Sequence, residues 1–345
     1  MVKYTIKRLI LAFFTAFVIV SLTFFLVKML DFPKPVGQPA TQFAYYANQN
    51  ILGFVMDFTT AQTGYGELLW KYQDTARIWH YFYQTPITTQ YFNWIHNIFT
   101  KWDWGTSTYI QPNVGVMHII ASKLPYTIRV NIIAVVIAVP IGIGLGVIAA
   151  LKKNTMTDHI ISTVVMIFIS IPSFIIITFL MLWLCYQNSW LPSQWPSDMA
   201  DVATQAKGYI IPVLSLSFGS ICGYTRFTRA ELTEVMSSDY LLLARTKGLT
   251  KSQTVTRHAL RNAMVPIVPS ILAEFIGILA GSMILEQLYG IPGIGKLYVT
   301  SITAKDYNVL LVDMAFFTMI GLAAGVLVDI SYGFIDPRIR MGAKK

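Results

Sequence analysis

The sequence predicts an all-α protein that crosses a lipid bilayer six times. Its mean hydropathy is +0.55, and only 12% of its 345 residues are charged, which is about half the share in soluble globular chains. The apolar residues are gathered in six runs, most of them close to the ~20 residues that a helix needs to cross the hydrocarbon core. These observations favour a polytopic membrane protein over a soluble one.

Each apolar run is predicted to form one transmembrane helix. The first, 9–27, contains no charged residue. No small-residue cleavage site follows it, so we expect a retained helix rather than a signal peptide. The other five predicted spans are 127–151, 160–186, 209–224, 263–288 and 309–334. Prolines inside these runs are tolerated in membrane helices because neighbouring groups satisfy the freed carbonyls.

The distribution of Lys and Arg predicts that both termini are cytoplasmic. The formal net charge is +9. Basic residues collect before the first span, after the second, between the fourth and fifth, and after the last, whereas the two short loops on the other side contain only Lys207, Lys296 and Lys305. Cytoplasmic loops are the basic ones. Topology in the cell membrane therefore accounts for the charge, and we expect no nucleic-acid partner.

A long segment between the first two predicted spans, 31–120, differs from the rest of the chain. It is rich in Trp, Tyr and Phe, as in "IWHYFYQ" and "YFNWIHNIF", and disordered linkers are poor in aromatic residues. We expect a small folded extracytoplasmic cap, with some amphipathic helix, near the membrane surface. An interfacial aromatic belt and a docking surface both remain possible uses of these rings.

The loop between the fourth and fifth predicted spans contains local helix signals. Ser238 and Asp239 can cap a helix that continues to residue 247, and Gly248 suits a left-handed cap at its end. Thr250, with Gln253 three residues later, fits a capping box that starts a second helix.

The second helix is amphipathic, with Arg257 and Arg261 on one face and Val255 and Ala259 on another. A solvated loop whose charges only set the topology is the simpler interpretation. Two capped helices joined at one glycine favour a structured element that a partner grips.

The stretch "YLLLARTKGLTKSQTVTRHALRNAMVP" resembles the signature loop of ABC importer permeases. Over nearly its whole length the chain resembles the B-type permease subunit of oligopeptide, dipeptide and nickel importers, as in "WDWGTS", "EQLYGIPGIGKL", "AKDYNVL" and "DISYGFIDPRIR". The general loop pattern has a Glu and two small residues before the glycine, where this chain has Leu242, Leu243 and Ala244.

The resemblance implies a type I ABC importer permease fold with an insert between helices 1 and 2. It implies segments 1–30 (first helix), 31–120 (insert), 121–335 (core, with coupling loop 226–262) and 336–345 (cytoplasmic tail). The residues expected to couple this chain to an ATPase are Tyr240, Ala244, Arg245, Gly248, Arg257, His258 and Arg261.

The resemblance also implies partners. They are a homologous second permease subunit, two cytoplasmic ATPase subunits, an extracytoplasmic substrate-binding protein and the lipid bilayer. We expect ATP and Mg²⁺ to be bound by the ATPase subunits, and no cofactor or metal by this chain. It would form half of a pathway for oligopeptides. A permease for dipeptides, nickel or another small solute is the alternative within the family, and an ion-gradient secondary transporter is the alternative outside it.

Residues 290–297, "GIPGIGKL", match most of a phosphate-binding loop. That motif needs a preceding strand and a Ser or Thr for Mg²⁺, whereas a predicted span precedes this stretch and Leu297 takes the place of the hydroxyl residue. The topology also puts it outside, away from ATP. We expect a scoop-like outer loop shaped by Gly290, Pro292, Gly293 and Gly295, and a pore-forming subunit rather than an enzyme.

Carboxylates inside predicted spans are candidates for the translocation pathway, because a charge in lipid costs several kcal/mol. Glu274 lies near the middle of the fifth span, Asp313 near the start of the sixth, and Glu286 near the end of the fifth. The alternative for each is a structural hydrogen bond between helices.

Overall fold

The computed structural model describes residues 2–30, 35 and 37–335, except for the side chains of residues 2–4, 245, 251–252, 280 and 333–335. The predicted tail, 336–345, and the first residues of the predicted insert lie outside this part. The helices α1 to α6 are Val2–Lys28, Pro39–Ile51, Ile87–Lys101, Val116–Leu151, Met156–Ile169 and Ser173–Leu180, and α6 continues as a π-helix, Met181–Gln187.

The second half of the chain is helical in its regular structure. The helices α7 to α13 are Val202–Met236, Asp239–Thr246, Lys251–Thr254, Leu260–Gly277, Met283–Tyr289, Ile294–Thr303 and Tyr307–Ile335. A π-helical stretch, Val255–Ala259, joins α9 to α10, and a 3₁₀ turn, Ile278–Ala280, follows α10. Helix α9, the π-helical stretch and α10 therefore form one continuous helical rod from Lys251 to Gly277.

Five helices of the described chain are long and apolar enough to cross a membrane: Thr5–Lys28, Val116–Leu151, Val202–Met236, Val255–Gly277 and Tyr307–Tyr332. The third predicted span, 160–186, is a bent pair, Met156–Ile169 and Ser173–Gln187, with an angle of 94° between its halves. The break falls at Pro172, which has no N–H to donate and cannot continue the ladder of α5. The prediction of six spans is confirmed if the bent pair counts as one.

The fifth span ends earlier than hydropathy predicts. It was expected over 263–288, but the helix stops near Gly277, and Gly281 has a φ of +66° before α11 begins at Met283. A left-handed glycine ends a helix whatever the polarity of its neighbours. The apolar residues after Gly281 belong to a separate short helix.

The insert contains a sheet that the all-α prediction did not include. Strands β1 (Val55–Phe58), β2 (Leu68–Gln73) and β3 (Trp79–Gln84) form an antiparallel sheet in the order β1-β3-β2. Aromatic residues favour such pleated surfaces. The ring of Tyr46 in α2 stacks on Trp70 and on Phe82, both with centroids 5.3 Å apart. The aromatic residues therefore form the core of the insert.

The chain divides into two compact units. The insert unit comprises Phe14–Ser122 and Tyr298–Thr318, and the core unit comprises Lys123–Leu297 together with the chain before Phe14 and from Met319 onward. Within the core unit, Arg8 Nε lies 3.2 Å from Asp329 Oδ2. The start of the first span and the end of the last therefore lie close together.

Two glycines bring α4 and α7 of the core unit into close contact. A Cβ on Gly142 would lie 2.7 Å from Cβ of Tyr224, and one on Gly146 would lie 2.6 Å from Cβ of Thr228. Glycines spaced four apart allow helix backbones to approach closely in membranes, where packing rather than hydrophobicity holds helices together. Gly144, between them, faces open space.

Candidate functional site

The two helices of the predicted coupling loop are joined at Gly248. Helix α8 ends at Thr246, and Gly248 has a φ of +90° with no other atom within 4 Å of the position of a Cβ. The constraint on this residue is therefore its backbone conformation and not a lack of space, and glycine adopts a left-handed conformation at little cost. The predicted left-handed cap at Gly248 is present.

A reciprocal capping box starts the second helix. The N–H of Thr250 donates to Oε1 of Gln253 at 3.1 Å, and the N–H of Gln253 donates to Oγ1 of Thr250 at 3.3 Å. These bonds satisfy two N–H groups at a helix start that have no partner within the helix. The loop is thus two helices with a fixed, two-residue connection.

The amphipathic face of the second helix is divided as predicted. Val255, Ala259 and Ala263 are buried, and Ala259 and Ala263 pack with Leu241 of α8 and Leu232 of α7. The side chains on the opposite face are exposed, namely those of Arg257, His258 and Arg261. The helix is therefore held to the core unit by its apolar side, and its basic side is open to a partner.

Tyr240 connects the two helices. Its hydroxyl oxygen accepts a hydrogen bond from Nδ2 of Asn262 at 2.7 Å, while its ring remains 42% exposed. Leu242 and Leu243 beside it are more exposed still, at 64% and 58%, and Ala244 is buried. The side chain of Arg245 lies outside the described part. The first helix of the loop thus exposes apolar side chains.

An ion pair that was not predicted lies where α5 begins. Arg229 of α7 donates from Nε to Asp158 Oδ1 at 2.6 Å and from Nη2 to Oδ2 at 2.8 Å. Asp158 is 1% exposed and also accepts from the N–H of Asn154 at 2.9 Å. The turn after the second span is therefore clamped to the helix that leads into the coupling loop. In the sequence, the signal for this pair is a carboxylate, Asp158, at the edge of an apolar run.

Glu286 was expected near the end of the fifth span but lies after it, in the segment 281–297, which contains the predicted stretch 290–297 and is here called the outer loop. It is 2% exposed. Its Oε1 accepts from Thr127 Oγ1 at 2.9 Å, and its Oε2 accepts from the N–H of Lys296 at 3.0 Å. Thr127 Oγ1 in turn accepts from the N–H of Ile294 at 2.9 Å. One carboxylate and one hydroxyl therefore hold this loop to α4, and a pathway role for Glu286 remains a prediction.

The glycines of the outer loop explain its shape. A Cβ on Gly281 would lie 2.5 Å from Glu286 Oε1, and one on Gly293 would collide with the same carboxylate and with Thr127. A Cβ on Gly295 would lie 2.8 Å from the N of Met283, and Gly290 has a φ of +77°. Pro292 lies between these residues.

Lys296 does not have the surroundings of a phosphate-binding lysine. Its Nζ lies 3.4 Å from the carbonyl oxygen of Gly290, and the helix α11 rather than a strand directly precedes Gly290.

Glu274 connects two membrane helices. Its Oε1 accepts a hydrogen bond from Ser220 of α7, and the hydroxyl of Tyr224 on the same helix interacts with the same carboxylate. This geometry favours the structural alternative for Glu274. Asp313 of α13 is fully buried. Contact of either residue with a substrate remains a prediction.

Asp306 organises the insert unit and was not among the predicted residues. Its Oδ2 accepts from Ser107 Oγ at 2.6 Å and from the N–H groups of Thr108, Tyr109 and Ile110 at 3.0, 2.9 and 3.1 Å. This carboxylate ties the turn after "WDWGTS" to the start of the last span. An Asp directly before an apolar run is a helix-start signal that could have identified it.

Comparison with known proteins gives consistent matches. Residues 142–341 match the family described as the binding-protein-dependent transport system inner membrane component. The chain is similar to the dipeptide transport system permease protein DppB of Lactococcus lactis subsp. cremoris, with 33% identity over 99% of this chain and 100% of the relative. It is also similar to the oligopeptide transport system permease protein OppB of Haemophilus influenzae, with 30% identity over the same shares. A solved structure of the MetNI methionine ABC transporter in an inward facing conformation aligns with a TM-score of 0.49 and 18% identity, over 63% of this chain and 97% of that chain.

Proposed function

The chain belongs to the family of binding-protein-dependent transport system inner membrane components, and on that premise we propose that it is the permease subunit of an ATP-driven importer of oligopeptides. It forms half of the translocation pathway, and a homologous permease forms the other half. Two cytoplasmic ATPase subunits supply the energy, with ATP and Mg²⁺ bound on them, and an extracytoplasmic binding protein delivers the peptide. Both termini are cytoplasmic. Permeases of dipeptide and oligopeptide systems among the relatives support this assignment.

The single observation that carries the proposal is the built coupling segment, residues 239–262. Its two helices are capped and tied to each other, and it exposes both the basic face with Arg257 and Arg261 and the apolar side chains of Leu242 and Leu243. A loop that only sets topology needs neither caps nor a fixed connection. A segment that exposes a basic face and apolar side chains is suited to a groove on another protein, where both charge and buried area contribute to binding.

The same segment is mechanically continuous with a membrane span. The backbone from Lys251 to Gly277 is helical throughout, with a π-helical stretch at Val255–Ala259. When the ATPases close, a force on Arg257 or Arg261 therefore passes along one rod into the fifth span. The hydrogen bond between Glu274 and Ser220 passes the movement to the fourth span. Rigid-body rocking of the helix bundle then opens the pathway to each side in turn.

The decisive experiment is peptide uptake by the complete complex in proteoliposomes without any ion gradient. We expect uptake of a radiolabelled oligopeptide that requires ATP and the binding protein. Uptake that persists without ATP and needs an ion gradient would establish the secondary-transporter alternative. Competition by unlabelled dipeptides or by nickel then distinguishes the substrate classes within the family.

A further inference from the structure

Arg129 lies in a cleft whose lining residues belong neither to the coupling segment nor to the outer loop. The cleft is small and lies within the core unit. Its walls come from α4, the segment before α7 and the start of α7. The lining residues include Tyr126, Arg129, Trp195, Asp198 and Tyr209. By the predicted topology this is the extracytoplasmic side.

The walls of the cleft are fixed by their own contacts. The Trp195 ring packs edge-on against Tyr209 with ring centroids 4.8 Å apart, and the backbone N–H of Trp195 donates to the carbonyl oxygen of Tyr289 at 2.8 Å. A Cβ on Gly208 would lie 2.7 Å from Cγ of Pro196, so the loop is seated directly on α7. The aromatic surface is therefore preorganised, which lowers the entropic cost of binding a ligand.

The guanidinium of Arg129 has no carboxylate partner within the described residues. Asp198, which also lines the cleft, accepts its hydrogen bond from the Tyr126 hydroxyl at 2.7 Å, and no ion pair joins it to Arg129. Arg129 is exposed and is the third residue of the second predicted span, 127–151. An exposed guanidinium without an acidic partner is available to an anionic ligand.

We propose that this cleft binds the C-terminal carboxylate of the peptide in transit. The planar fork of Arg129 matches a carboxylate with two parallel hydrogen bonds, and the rings of Trp195 and Tyr209 contact the apolar part of the last residue. The inference rests on the proposed peptide import. Every peptide has a terminal carboxylate, so a site that reads it can accept many sequences.

Binding of radiolabelled tetraalanine to the purified complete complex in nanodiscs, without the binding protein, tests this site. In Arg129→Gln the dissociation constant should rise roughly tenfold, the loss typical of one charge-assisted contact at an open site. Arg129→Lys should recover only part of the affinity, because its ammonium keeps the charge but cannot form the two parallel hydrogen bonds. Lys207→Gln is the matched control, because Lys207 is an exposed cation near the start of α7 that does not line the cleft. Tetraalanine amide should bind to the wild type as weakly as the acid binds to Arg129→Gln.

ATP-driven uptake of the same peptide by the wild-type complex separates this site from the proposed function. If the wild type takes up tetraalanine but Arg129→Gln binds it as tightly as Lys207→Gln does, the cleft assignment is overturned and peptide import stands. Wild-type uptake without any measurable tetraalanine binding to the complex has the same meaning. If the wild type takes up no peptide, peptide import itself is overturned.

Discussion

Arg229 and Asp158 form a two-point ion pair between α7 and α5, with N–O distances of 2.6 and 2.8 Å. Their positions are 71 residues apart in the sequence. The arginine precedes the coupling segment by ten residues, so the clamp fixes the helix from which that segment emerges. Precise placement of the coupling helices therefore depends on a contact outside them.

Asp158→Asn should lower the free energy of unfolding of the complex by about 2 kcal/mol, because hydrogen bonds to charged groups are worth about 1.5–3 kcal/mol. The measurement is a thermal unfolding curve in detergent, where Tm should fall. Glu234→Gln, at an exposed carboxylate on α7, should leave Tm unchanged. In Asp158→Asn/Arg229→Gln the loss should be smaller than the sum of the single losses. Strict additivity would show that the pair does not act as a unit.

Gly142 and Gly146 should not tolerate a methyl group, whereas Gly144 should. Alanine at position 142 or 146 would push α4 away from α7, and overpacking of this kind costs about 1–3 kcal/mol. Gly144→Ala is the matched control, since its Cβ meets nothing within 4 Å. Thermal unfolding of the three variants decides the matter. Equal stability of Gly146→Ala and Gly144→Ala would contradict the close helix contact.

Asp306→Asn should loosen the turn at residues 107–110. The neutral amide oxygen accepts more weakly than a carboxylate, and the expected loss is about 2 kcal/mol. Hydrogen exchange at the amides of Thr108, Tyr109 and Ile110 should be faster. Asp103→Asn is the control on the same loop. Asp103 accepts from the N–H of Gly105 at 2.9 Å, whereas the amides of residues 108–110 donate to Asp306. Unchanged exchange in Asp306→Asn would show that other contacts hold the turn.

Gly293→Ala should displace the outer loop, because its methyl group would occupy the space of the Glu286 carboxylate and the Thr127 hydroxyl. We expect a loss of about 1–3 kcal/mol and poor peptide uptake. Gly277→Ala, at a glycine with open space around its Cβ position, should retain both stability and uptake. A Gly293→Ala complex that is as stable and active as Gly277→Ala would overturn the carboxylate cradle.

Local features of the fold and of the coupling segment could be predicted from the sequence. The left-handed Gly248 and the Thr250–Gln253 box each involve residues at most a few positions apart, and their geometry follows from helix-end rules alone. The exposed position of Arg257 follows from helix periodicity in the same way.

Contacts between distant segments could not be predicted. Ser107 and Asp306 are 199 positions apart, and no local rule says which buried carboxylate meets which loop. The predicted fifth span also ran past Gly281, because hydropathy averaged over apolar residues does not register a single backbone reversal. The strands of the insert were missed since four to six aromatic-rich residues fit a strand or a buried helix segment equally well.

The most direct test of the account is ATP-driven peptide uptake by a complex with Gly248→Val, compared with Gly248→Asn. Nothing lies within 4 Å of the Cβ position at Gly248, so both substitutions act through backbone conformation only. Asn tolerates the left-handed region, whereas a β-branched residue there is a strained outlier. Valine should therefore reorient the helix that starts at Thr250 and displace Arg257 and Arg261 from the ATPase.

We expect the Gly248→Val chain to insert in the membrane and its complex to bind the loaded binding protein. Its ATPase subunits should be lost or uncoupled and its uptake should fall at least about tenfold, while Gly248→Asn stays near the wild type. Normal ATPase recruitment together with wild-type uptake in Gly248→Val would contradict the central claim and reduce this segment to a topological anchor.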